Sequence, residues 1–250
     1  MLACRVRAAG HGSRASRLNV EGDASAALTW RYLVAILIFA SLPASAAVSV
    51  RKSPPAVHYR TFDPAKPPAE IATNVPSEGA VTVCGFGFSA EPRYDVVSRE
   101  RGADGNWSAV VSVSSVAVYV RLSVVVWTPK GVSPKLKAHE EGHRRLDEMM
   151  YKKLADDAAQ AAGAAMDGHQ FTGSGTTAAK AEANAIQTMF QQAGRNYLVQ
   201  TSAINEEINR NYDSITSHGT NDILEAEAMK QAVARYENDH ADVADPKTGN

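Results

Sequence analysis

The sequence is poor in the features that would set it in a special class. Cysteine occurs only twice, at Cys4 and Cys84, so at most one internal disulfide could form. Aromatic residues make up 7% of the chain, and 26 basic residues nearly cancel 27 acidic ones. Without a basic excess there is no electrostatic footprint for nucleic acid, and no such partner is expected. No apolar run reaches the roughly 20 residues that a membrane-spanning helix needs. Internal repeats are absent. What remains is an ordinary globular balance: 250 residues, 44% hydrophobic and 21% charged, enough for one sizeable core.

The first 46 residues read as a leader. Arg31 precedes a short apolar stretch, Tyr32 to Ala40, which is followed by Pro43, Ala44, Ser45 and Ala46. A charged start, a short apolar segment and an A-x-A site describe a secretory signal peptide, here carrying an N-terminal extension before Arg31 and cleaved after Ala46. The stretch is too short to act as an anchor, so no stable membrane insertion is expected after cleavage. The mature chain is expected to be exported, to a periplasm or outside the cell. Residues 1–46 hold five arginines against Glu21 and Asp23; without them 21 basic and 25 acidic residues leave a net charge of −4. Cys4 departs with the leader. Cys84, alone in Val81-Thr82-Val83-Cys84, is then read as a small buried strand residue rather than a reactive thiol.

Residues 47–78 contain six prolines and read as an extended arm. Residues 79–128 read as β, with turns expected at Glu91-Pro92 and across Gly102–Asn106. Val116, Val118, Val120, Leu122, Val124 and Val126 alternate with more polar residues, the period-two signature of a half-buried strand, long enough to bend or carry a bulge. From Ser133 the period changes. Ser133 suits an N-cap and Pro134 the first helical position, and Leu136, His139, His143, Leu146, Met150 and Leu154 then recur at three- and four-residue steps to about Ala162. Residues 167–176 read as a flexible loop, Thr177–Thr216 as one helix ending near Gly219, and residues from Asn221 through Tyr236 as a last helix. The tail 239–250 is polar. Strands followed by helices argue for an α+β domain over 79–238, a small antiparallel sheet packed on helices.

Inside the first helix stands His139-Glu140-Glu141-Gly142-His143. Two histidines four apart project from one helix face, a turn apart, and suit two nitrogen bonds to one zinc ion. Glu140 points elsewhere on the helix but can reach a water at such an ion, as a general base. The bland alternative, a pair of exposed histidines on a charged helix near Arg144, Arg145 and Asp147, conflicts with their place on the apolar stripe. A third ligand must come from elsewhere, since the position six residues on is Met149. His218, at the end of a long helix beside Gly219, is preferred; Asp213 and Glu206 or Glu207 remain open. Tyr212 or Tyr197 could donate to an oxyanion, although both fit the apolar stripe, and Asp213 could instead orient a ligand imidazole.

The His-Glu-x-x-His run, preceded by strands and followed by Tyr212-Asp213-Ser214-Ile215-Thr216-Ser217-His218-Gly219, resembles a bacterial family of predicted secreted Zn-dependent proteases of otherwise unknown function. The resemblance spans roughly residues 75–235. It implies a zincin-like catalytic domain with Glu140 as catalytic acid–base and His139, His143 and His218 as zinc ligands. It also implies peptide or protein substrates, and a substrate-pairing sheet edge in the strand before the motif helix, here Val116–Val126. On that view charged or proline substitutions near Val124 would weaken substrate binding more than folding. The competing expectation is a non-enzymatic envelope protein with a structural or vestigial metal site that binds partners through its long helices.

Overall fold

The computed structural model describes residues 48–75 and 79–241. The alternating valines form the heart of one long strand, β4 (Trp107–Pro129), and the sheet is assembled around it. β3 (Val81–Arg101) runs antiparallel to it along one edge, joined through the tight turn at Gly102–Asn106. Three short strands share the other edge end to end. β5 (Gln170–Gly175) lies antiparallel to Trp107–Ser112. β1 (Val48–Lys52) and β2 (Ala56–Phe62) lie parallel to Val116–Val120 and Ser123–Pro129.

The architecture therefore mixes α and β, but its five-stranded sheet is mixed rather than the small antiparallel one expected. The difference comes from the proline-rich segment, which supplies two of the strands instead of a free arm. Its described prolines fall outside the paired stretches: Pro54 and Pro55 separate β1 from β2, where Ser53 N–H still reaches the Val120 carbonyl at 3.0 Å. Between them, Val48, Val50 and Val57 pack against the core.

Two further expectations fail for local reasons. Glu91-Pro92 is not a turn but part of β3, whose outer edge is unpaired among the described residues and so tolerates proline. The segment 167–176 is not a flexible loop, because β5 pairs there and Gly173 and Gly175 let its backbone lie directly against a helix; a methyl at Gly173 would overlap the backbone at Ala185. The bulge does appear, where Ser114 has no partner opposite Arg93 and Tyr94. It switches the buried face from Ala109, Val111 and Val113 to Val116, Val118 and Val120.

Among the described residues, α1 (Pro134–Ala164) and α2 (Ala178–Gln200) pack on the buried face, α3 (Ser202–Thr216) packs on both of them, and α4 (Glu225–Asp239) packs on α3 and α1. Ser133 caps α1 by accepting from Leu136 N–H, with Pro134 at its first position. The single helix expected over 177–216 breaks at buried Thr201, whose hydroxyl donates to the Tyr197 carbonyl at 2.7 Å and helps to close α2. The main core gathers the β4 valines with Leu146, Met150 and Tyr151 of α1, Met189 and Tyr197 of α2, and Ile208 and Tyr212 of α3. A smaller cluster of Phe62, Ile71, Val81 and Trp127 forms separately. Among the described residues no helix is long and apolar enough to cross a membrane. The expected leader and most of the polar tail lie outside the described residues.

Candidate metal centre

The capped start of α1 fixes the phase in which His139 and His143 meet α3. Gly142 lies between them, and a methyl there would overlap the Tyr212 hydroxyl, so the glycine is what lets α3 come in this close. Tyr212 then lies against both imidazole rings. It stacks on His139 with centroids 5.1 Å apart and planes 8° apart, and meets His143 edge-on at 4.9 Å. Its hydroxyl donates to the His139 carbonyl at 3.4 Å. Tyr212 is fully buried and supports the two rings. Tyr197 packs against Phe88 in the core.

Three donor atoms converge above this platform. His139 Nε2 and His143 Nε2 are 3.2 Å apart, and Asp213 Oδ1 lies 3.3 Å from the first and 2.8 Å from the second. Two ring nitrogens and a carboxylate oxygen this close need a hydrogen atom or a metal ion between them. Without a metal, a proton on His143 serves. Burial works against that imidazolium, but the hydrogen bond and charge of Asp213, with Glu140 and Asn209, raise His143 to about 9. Burial likewise opposes charge on Asp213, yet the hydrogen bonds and charges of His139 and His143 hold its carboxyl well below the usual range. The chemistry of the set, two imidazoles and one carboxylate, fits zinc among other divalent ions.

Asp213 thus takes the place expected of His218. The side chain of His218 is 54% exposed and its Nδ1 stands 3.8 Å from Asp213 Oδ1, at the rim of the cluster. The reason lies in the backbone. Ser217 and His218 both adopt positive φ, 49° and 52°, and Gly219 continues at 74°, so the chain turns sharply off α3. Gly219 then seats against His139, where a Cβ would lie 2.8 Å from the ring's Cβ and Cγ. The Nδ1 of His139 is buried with no hydrogen-bond partner among the described residues. Of the other ligands kept open, Glu206 lines the neighbouring cavity and Glu207 points to His240 at 3.7 Å.

Glu140 is 2% exposed and accepts a 2.6 Å hydrogen bond from Thr82 Oγ1 at the start of β3. Burial raises its carboxyl above the ordinary value, against the pull of His143, Thr82 and His139. A cavity of about 280 Å³ adjoins the three donors and Glu140, walled by Val81, Thr82 and Cys84 of β3 and by Asn205, Glu206 and Arg210 of α3. Cys84 is a lining group with an unreactive thiol: burial and the neighbouring Asp147 push its pKa far up.

Sequence reasoning missed Thr82, Asn209 and Asp147. Thr82 carried no signal beyond a strand position. Asp147 reads as one more charge on the motif helix, although it follows His143 by four residues on the same stripe and is buried. Compared with models of known families, with characterised proteins and with solved structures, the chain matches none.

Proposed function

We propose that the protein is an exported, zincin-like zinc peptidase in which His139, His143 and Asp213 hold the metal and Glu140 is the general base. What carries this reading is the convergence of three donor atoms beside a buried carboxyl on the wall of a cavity. Zinc in such a site supplies Lewis acidity, lowering the pKa of water and polarising a substrate carbonyl. Glu140 takes the proton from water and passes it to the leaving amine. A carboxyl raised by burial is matched to both halves of that task. Thr82 orients it from β3, and Tyr212 and Gly219 hold the His139 ring in place.

An extended peptide would lie along β3, not along Val116–Val126. Along that run β4 is paired with β3 on one edge and with β1 and β2 on the other, whereas Val81, Thr82 and Cys84 bring β3, whose outer edge is unpaired among the described residues, to the cavity. Main-chain pairing with such an edge gives affinity with little sequence preference. Export follows from the leader-like residues 1–46.

One observation favours the alternative, a non-enzymatic envelope protein with a structural metal. His218 stands close enough to Asp213 that a side-chain rotation could add a fourth ligand and close the site. Metal analysis of the chain beginning after Ala46, with Glu140→Gln beside wild type, separates the readings. A peptidase holds about one zinc per chain in both and hydrolyses casein or a peptide library only as wild type. Zinc in both with hydrolysis in neither points to the structural role, and hydrolysis surviving in Glu140→Gln refutes the general-base assignment.

A further inference from the structure

Behind His143, away from the converging donors, runs a chain of polar side chains that the proposed chemistry does not use. His143 Nδ1 lies 2.6 Å from Asn209 Oδ1. The Asn209 amide nitrogen donates to Asp147 Oδ1 at 3.1 Å and to the Asn205 carbonyl at 2.9 Å. The Asn205 amide nitrogen donates to the same Asp147 oxygen at 2.8 Å. Asp147 and Asn205 are both buried.

These partners leave Asn209 one orientation. Turning its amide over would set its oxygen against the Asp147 carboxylate and the Asn205 carbonyl, both acceptors, and would aim an N–H pair at His143. The amide oxygen must therefore face His143, and only a protonated Nδ1 can donate to it. With the proton held there, the free lone pair of a neutral imidazole is on Nε2, the nitrogen that faces His139 and Asp213. We propose that Asn209, anchored by buried Asp147, is a positioning residue that fixes the tautomer and ring angle of His143 for metal binding. This rests on the reading that His139, His143 and Asp213 hold a divalent ion. The use of an amide between carboxylate and imidazole keeps the orientation without placing a second full charge on the ring.

The test is zinc affinity of the chain beginning after Ala46, measured by competition with a chromophoric chelator, together with the NMR signal of the His143 Nδ1 proton in the zinc-loaded form. Wild type shows a slowly exchanging Nδ1 proton. Asn209→Ala loses that protection and binds zinc about 10- to 100-fold more weakly, the range found when a partner of a ligand imidazole is removed. Met189→Ala, a core truncation far along α2, lowers the melting temperature and leaves zinc affinity and the Nδ1 proton unchanged, so loss of stability alone does not mimic the effect. If Asn209→Ala does not fold, Asp147→Asn carries the test: it keeps the shape, puts an amide where the carboxyl group anchors Asn209 and Asn205, and binds zinc about tenfold more weakly. Wild-type affinity in whichever folded variant is measured overturns the relay and leaves the metal site standing. A wild-type chain that takes up no zinc overturns the metal reading and the relay with it.

Discussion

Thr82 Oγ1 sits 2.6 Å from Glu140 Oε2, and this bond opposes what burial does to the carboxyl. Burial moves Glu140 up; the hydroxyl, which prefers the ionised form, draws it back down. Thr82→Val keeps the strand side chain and removes that pull, so the carboxyl should titrate higher still. A hydrogen bond to a charged group is worth about 1.5–3 kcal/mol, which corresponds to about one to two pH units. In the peptidase reading the base must be ionised, so the acidic limb of the activity profile shifts to higher pH by about one unit. A pH–rate series on wild type and Thr82→Val reads this directly, and an unmoved acidic limb shows that Glu140 does not set it.

At the scale of elements, the centre is an interlock between α1 and α3. His139, His143 and Asp147 recur every four residues on one helix, and Asn205, Asn209 and Asp213 do so on the other. Asp213 meets His139 and His143, Asn209 meets His143 and Asp147, and Asn205 meets Asp147, so the two rows run in opposite directions. Both spacings stand in the sequence. The pairing does not, because polar residues at helical intervals read equally well as a solvated face until a partner helix covers them. Without metal, the interlock holds its charge by protonation, and that gives a pH dependence. His143 is raised from 6.5 to about 9, so its contribution to stability is fully present below about 6.5 and is lost as pH rises through about 9. Asp213 is held down, so its contribution is present above its ordinary value of 3.8 and disappears as pH falls well below that. Melting curves in a chelator should therefore decline on the alkaline side between about pH 7 and 9. Added zinc replaces the proton and should abolish that decline; identical curves with and without zinc would mean that no ion binds here.

For the whole molecule, β4 decides what surrounds the site. Because β1 and β2 fill its second edge, residues 48–62 are structural. Phe62 is buried, Val48, Val50 and Val57 pack on the core, and Tyr151 of α1 donates to the Ser53 and Val120 carbonyls. A buried apolar side chain is worth about 1.5–3 kcal/mol, against a total stability of about 5–15 kcal/mol for a typical domain. Starting the chain at residue 63 should therefore abolish cooperative melting followed by circular dichroism, whereas a dispensable arm would leave it intact. Substitutions at Val124 likewise act on folding, since it is fully buried in the central strand and has no role as a substrate edge.

Local rules account for what could be read from one dimension. The period of the Val116–Val126 run, the Ser133-Pro134 start of α1 and the four-residue step between His139 and His143 each depend on neighbours within a turn or a pleat, and each appears in the structure. Which strands flank β4, where the long helical stretch breaks, and whether Asp213 or His218 faces the two imidazoles depend on groups far apart in the chain. Only packing decided them: Gly142 let Tyr212 bring α3 onto α1, and the left-handed turn at 217–219 carried His218 to the rim while Asp213 stayed inside.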